Sequence, residues 1–93
     1  MSFFVYILEL RDGHFYVGST DDLTRRLKEH KEGRGGRTTR ITGLKRLLYS
    51  EEQASRSAAE RRELQLKGWS RAKKLALIKG DRVRLHRLAK RGG

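Results

Sequence analysis

Apolar and polar positions change rhythm several times along this chain. Phe3 to Leu10 is an almost unbroken apolar and β-branched run, which predicts a strand buried on both faces. Arg11-Asp12-Gly13 follows, and then a second short run, Phe15 to Gly18. A three-residue loop, a type I turn closed by a left-handed glycine, fits this hairpin. Side chains alternate by face, so an odd loop pairs Leu10 with His14, Leu8 with Tyr16 and Tyr6 with Gly18. Tyr6 and Tyr16 then share one face, and Val5, Ile7, Phe15 and Val17 form the other, suited to packing against helices. A two-residue loop at Asp12-Gly13 would separate the tyrosines. Gly18, opposite Tyr6, leaves open space where a side chain would stand.

The period then becomes helical. Asp21 or Asp22 caps a helix whose stripe is Leu23, Arg26, Leu27 and His30, the spacing of a side that faces a core. Arg26 and His30 therefore look toward the sheet. A long cation there needs an anionic partner, either a phosphate or a carboxylate of the fold. The helix ends near Gly33, and Gly33 to Arg40 reads as a flexible basic loop. Its glycines let backbone amides approach phosphates, and Arg34, Arg37 and Arg40 can clamp them. A plain connection that happens to be basic is the alternative.

Leu44 to Glu51 predicts a third strand, with Tyr49 as a sheet aromatic. Ser57 and Glu60 stand at capping-box spacing at the start of a second helix. Ala58, Ala59, Leu66 and Trp69 mark its packed side, with Glu63 at the edge and Lys67 four residues on, placed for an ordinary ion pair. Ser70 caps a third helix through Ile78, with Leu75 and Ile78 inward, and Gly80 ends it. Beyond Asp81, the positions Val83, Leu85, Leu88 and Ala89 are compatible with a short amphipathic helix in a basic tail, residues 81–93.

Composition narrows the class. With 93 residues, 35% of them hydrophobic, the chain suits one small domain. It has no cysteine, which excludes disulfides and thiolate metal sites. No apolar run reaches membrane-spanning length and no basic segment precedes the first strand, so no membrane partner and a cytoplasmic location are expected. The net charge of +12 is uneven: residues 1–22 hold one Arg against four carboxylates, and residues 23–93 hold 22 cations against 7 anions. That asymmetry favours a polyanion, with Lys73 and Lys74 adding basic surface beyond the loop arginines.

The ordered set of motifs resembles the GIY-YIG nuclease family, and more closely its small stand-alone UPF0213 group. Val5-Tyr6-Ile7 stands where the family has GIY, and Tyr16-Val17-Gly18 where it has YIG. Ser19 to Leu23, Arg25-Arg26-Leu27, His30 and the segment Ser55 to Ile78 extend the likeness over nearly the whole chain. The resemblance implies a small α/β domain over residues 1–80, a three-stranded mixed sheet flanked by helices in the order ββαβαα. It implies a metal-dependent DNA endonuclease, structure-selective and linked to DNA repair or recombination. Tyr6 would orient or activate water, Tyr16 hold that geometry, Arg26 neutralise the scissile phosphate, and His30 relay a proton or fix a neighbour. Glu63 would bind the divalent ion, Mg2+ or Mn2+, while Gly18 is structural. The partner would be duplex or branched DNA, RNA being admissible too, with room for a protein that supplies specificity.

Two departures stand out. Val5 replaces the first glycine of the motif, a tolerable change in a strand, and Val17 keeps the β-branched shape. Many family members place a polar residue, often Asn, after the metal glutamate, and this chain contains no Asn. A nucleic-acid-binding module that retains the fold without cutting is therefore the second reading.

Overall fold

The computed structural model describes residues 2–34 and 42–90. Strand β1 (Phe3–Leu10) and strand β2 (Phe15–Thr20) form a hairpin, helix α1 (Leu23–Lys31) follows, and strand β3 (Leu44–Gln53) completes the sheet. Three more helices, α2 (Arg56–Lys67), α3 (Arg71–Lys79) and α4 (Arg82–Lys90), finish the chain. The tail thus carries its own helix, and among the described residues the order of these elements is ββαβααα.

The sheet runs β2-β1-β3 and both pairings are antiparallel, so it is not mixed. The path explains this. Strand β2 ends beside Phe4, and α1 carries the chain back toward the hairpin end, where Leu44 pairs with Leu10. Strand β3 therefore runs in the direction of β2, with β1 between them and opposed to both.

The hairpin register places Tyr6 against Gly18 and Leu8 against Tyr16. Leu10 and His14 close the loop through a Leu10 amide to His14 carbonyl bond of 2.8 Å, and Gly13 takes φ +89°, a region that favours glycine. Both faces of β1 are covered. Val5, Tyr6, Ile7 and Leu8 are each exposed by 1% or less, as a central strand with helices on either side requires. Val5, Ile7 and Val17 pack with Ala59 and Leu66 of α2, flanked by Phe3, Phe15, Trp69, Leu77 and Ile78. Helix α1 lies on the opposite face.

Capping follows local chemistry with one correction. Asp22, not Asp21, caps α1, its carboxylate accepting from the Arg25 amide at 3.0 Å. Ser55 caps α2 by accepting from the Ala58 amide at 3.1 Å, so Ser57 lies inside the first turn and its expected capping box with Glu60 does not form. Ser55 holds the extended backbone an N-cap needs, and the third residue after it is Ala58, which has no carboxylate to return the bond. Ser70 caps α3, and Gly80 ends it at φ +70°. Ala76 is the buried residue of α3; Ile78 packs on the core and Leu75 is only half-buried. Asp81 caps α4 through the Arg84 amide. Val83 is 65% exposed, whereas Leu85 and Leu88 are half-buried.

Candidate active site

The antiparallel register sets Tyr6 and Tyr16 on the α1 face, and the helical stripe turns Arg26 and His30 down onto them. His30 is 1% exposed. Its Nε2 lies 2.8 Å from the Tyr6 hydroxyl, and its ring meets Tyr6 and Tyr16 edge to face, at centroid distances of 5.7 and 5.2 Å. The Arg26 guanidinium acts on the Tyr6 hydroxyl electrostatically, favouring its ionised form, and donates to Glu29 Oε1 at 3.3 Å. The carboxylate partner that an inward cation requires is therefore supplied by the same helix. Either group can be the donor in the Tyr6–His30 bond, according to the imidazole tautomer.

Gly18 does not leave open space. The Tyr6 ring lies across it, and a Cβ built there would stand 2.5 Å from the Tyr6 hydroxyl oxygen and 2.7 Å from Cζ. Glycine at this position is what lets the phenol reach the middle of β2.

On the other side of that strand, Ser19 donates to Glu63 Oε1 at 2.6 Å. Lys67 pairs with Glu63 Oε2 at 2.6 Å, so the helical ion pair anticipated from spacing is present. The Glu63 carboxylate also acts on Tyr6 electrostatically, opposing its ionisation. Tyr6, Tyr16, Arg26 and His30 thus cluster on the α1 face, with Tyr6 over Gly18, while Glu63 reaches the neighbouring Ser19 from α2. Ser19 had no chemical signal in the sequence beyond standing next to that glycine.

Burial pushes the Tyr6 hydroxyl up to about 12, with Tyr16 and Glu63 adding to it and Arg26 opposing. Burial holds His30 down at about 4, Arg26 contributing and Glu29 opposing. Around neutral pH both are uncharged, a phenol facing an imidazole.

The basic residues lie farther out. Arg34 follows α1 and pairs with Glu32; Arg37 and Arg40 fall outside the described residues. Lys73 stands 4.3 Å from the Trp69 ring centroid, and Arg62 approaches the same ring at 5.1 Å. Burial lowers the Lys74 pKa, with Arg71 contributing. Among the described residues, no group of three or more His, Asp or Glu gathers to hold a metal ion, and no helix is long and apolar enough to cross a membrane.

A GIY-YIG catalytic domain matches residues 2–76. This chain belongs to that family, one of nuclease-type hydrolases that act on nucleic acids and generally use divalent metal ions. Within it the chain is similar to UPF0213 proteins of Staphylococcus aureus, including those of strains Mu3 and N315. Each is 38% identical over 78 residues, covering 84% of this chain and 95% of the relative. The solution NMR structure of a UPF0213 protein from Bacillus halodurans is also similar, at 42% identity and TM-score 0.54, covering 85% of this chain and 84% of the other.

Proposed function

We propose that this protein is a metal-dependent DNA endonuclease that hydrolyses phosphodiester bonds at a site that includes Tyr6 and Glu63. The observation that carries the reading is the Tyr6 hydroxyl, bonded to His30 at 2.8 Å and under the charges of Arg26 and Glu63.

Tyr6 orients the attacking water. In the resting site it is a phenol that holds its proton at about 12, so it removes no proton by itself. His30 is a positioning residue. A proton passed from Tyr6 to an imidazole held at about 4 would move far uphill. The part of His30 is to fix Tyr6, with Tyr16 bracing the ring. Arg26, 30% exposed at its side chain, places a permanent positive charge beside the Tyr6 hydroxyl and would balance charge on the phosphate as it develops.

Glu63 and Ser19 offer oxygen donors only, which fits a hard cation that keeps several waters and binds through one or two carboxylates plus substrate phosphate. When bound, Mg2+ or Mn2+ would supply the positive potential that polarises the phosphate and makes nearby hydroxyls easier to ionise. Arg34, Lys73 and Lys74 would hold the flanking phosphates of duplex or branched DNA by charge and shape, without reading bases. Structure-selective cutting in repair or recombination belongs to the same reading.

Cleavage of labelled single-stranded, duplex and branched DNA with Mg2+, with Mn2+ and with EDTA tests the proposal. Metal-dependent cutting by wild type, with Arg26→Ala and Glu63→Gln binding DNA but not cutting it, is the expected result. Tight binding with no cutting of any substrate would make the chain a nucleic-acid-binding module on an inherited nuclease fold.

A further inference from the structure

Glu63 is already in the company of a cation. Lys67 Nζ sits 2.6 Å from Oε2, while the Ser19 hydroxyl holds Oε1. The two contacts differ in kind. A hydroxyl that donates to one oxygen leaves the other able to ligate a metal, whereas the ammonium occupies the space a metal on Oε2 would need. They differ in mobility as well. The Glu63 side chain is 20% exposed and the Lys67 side chain 51%, so the carboxylate stands fixed while the ammonium rides a flexible four-carbon stem beside water.

From this geometry we propose that Lys67 is a displaceable internal cation: it keeps Glu63 poised in the free protein, and a divalent ion must expel it to bind. The inference rests on the reading of Glu63 as the metal ligand, and adds that Lys67 sets the strength and selectivity of that binding. Replacing an ammonium by Na+ or K+ exchanges one unit charge for another and gains nothing at the carboxylate. Replacing it by Mg2+ or Mn2+ adds a unit of positive charge there. The lysine therefore filters out monovalent ions and weakens divalent binding by the strength of one half-exposed ion pair, a modest amount.

Two other basic side chains of α2 and α3 are committed elsewhere. Arg62 donates to Glu51 and Gln65 and lies against Trp69, and Lys73 lies against the same ring. Among the described residues, Lys67 is the cation that ion-pairs with Glu63.

Mn2+ binding to the DNA-free protein, followed by loss of the free-ion signal in electron paramagnetic resonance, reads this without activity. The variants are Lys67→Met, Lys67→Arg, Glu63→Gln and Lys79→Met, the last removing one exposed charge from the end of α3. Lys67→Met should bind Mn2+ roughly two- to fivefold more tightly, and its affinity should fall more steeply with added KCl, because K+ then competes directly for Glu63. Lys67→Arg and Lys79→Met should stay near wild type, and Glu63→Gln should lose the site. If Lys67→Met binds no better than wild type while Glu63→Gln loses binding, the role of Lys67 is wrong and Glu63 remains the ligand. If Lys67→Met and Lys79→Met gain equally, only overall charge is at work and the proposal fails. Should Glu63→Gln bind Mn2+ as well as wild type, the metal reading of Glu63 and this inference fall together.

Discussion

A phenol hydrogen-bonded to a buried, neutral imidazole at 2.8 Å and packed edge to face against the same ring is a rigid arrangement, because the two contacts together fix the ring. Tyr6→Phe removes the bond to His30 from a side chain that is 1% exposed and should cost about 1–3 kcal/mol, read as a lower midpoint in urea unfolding. Gly18→Ala should do more harm to the site than to the sheet. Its methyl would meet the Tyr6 hydroxyl at 2.5 Å, so the ring must move away from His30, and chemical-shift changes at His30 and Tyr16 would report it. The need for glycine was legible in the sequence only as a gap opposite Tyr6; that the tyrosine fills this gap depends on a rotamer, which register does not determine. His30 makes stability pH-dependent with a definite sign. Its folded pKa lies near 4, below the ordinary 6.5, so the unfolded chain binds more protons between those values. Stability from keeping this imidazole neutral is therefore complete above about pH 6.5 and drains away as pH falls toward 4. Relative to wild type, His30→Gln should show a flatter decline in Tm across that window. Equal slopes would contradict the buried, neutral His30.

Helices α1 to α4 owe their starting points to four short polar side chains, Asp22, Ser55, Ser70 and Asp81, each accepting from an amide three residues on. Ser55→Ala should cost about 1 kcal/mol and Ser57→Ala much less, a pair of urea midpoints that separates the observed cap from the capping box suggested by Ser57 and Glu60. That suggestion erred because a box is a local pattern, whereas the start of α2 is set by where β3 releases the chain after Gln53. The hairpin was easier to foresee. Arg11-Asp12-Gly13 determines loop length, loop length determines register, and register puts both tyrosines on one face. Strand β3 was less legible. Its pairing with β1 shifts between Ile7 and Leu8, where the partners jump from Tyr49 to Leu47, and alternation in the sequence does not reveal such an irregularity. Sheet direction was also hidden, since it depends on the end of the sheet to which α1 returns the chain.

At the scale of the molecule, a mildly acidic hairpin is followed by a strongly basic remainder with a net charge of +15. Charge of this kind binds polyanions through counterion release, so log affinity for duplex DNA should fall linearly with log salt concentration. Lys73→Ala and Lys74→Ala should each weaken binding about equally across sequences and lower that slope by about 1; an unchanged slope would remove them from the DNA surface. The cluster of Tyr6, Tyr16, Arg26 and His30 could be anticipated because one hairpin and one helix bring it together. The approach of Glu63 could not be derived from spacing, for α2 comes from the far side of the sheet and is held there by Ser19, 44 residues away. The central claim is that the Tyr6 hydroxyl acts in the reaction as well as in the fold. Single-turnover cleavage of labelled DNA with excess protein and Mg2+, well below the melting temperature of either protein, compares wild type with Tyr6→Phe while DNA affinity is measured on the same samples. A cleavage rate at least about 100-fold lower, with unchanged DNA affinity, is the predicted result; cleavage at the wild-type rate by a protein lacking that hydroxyl would contradict the account.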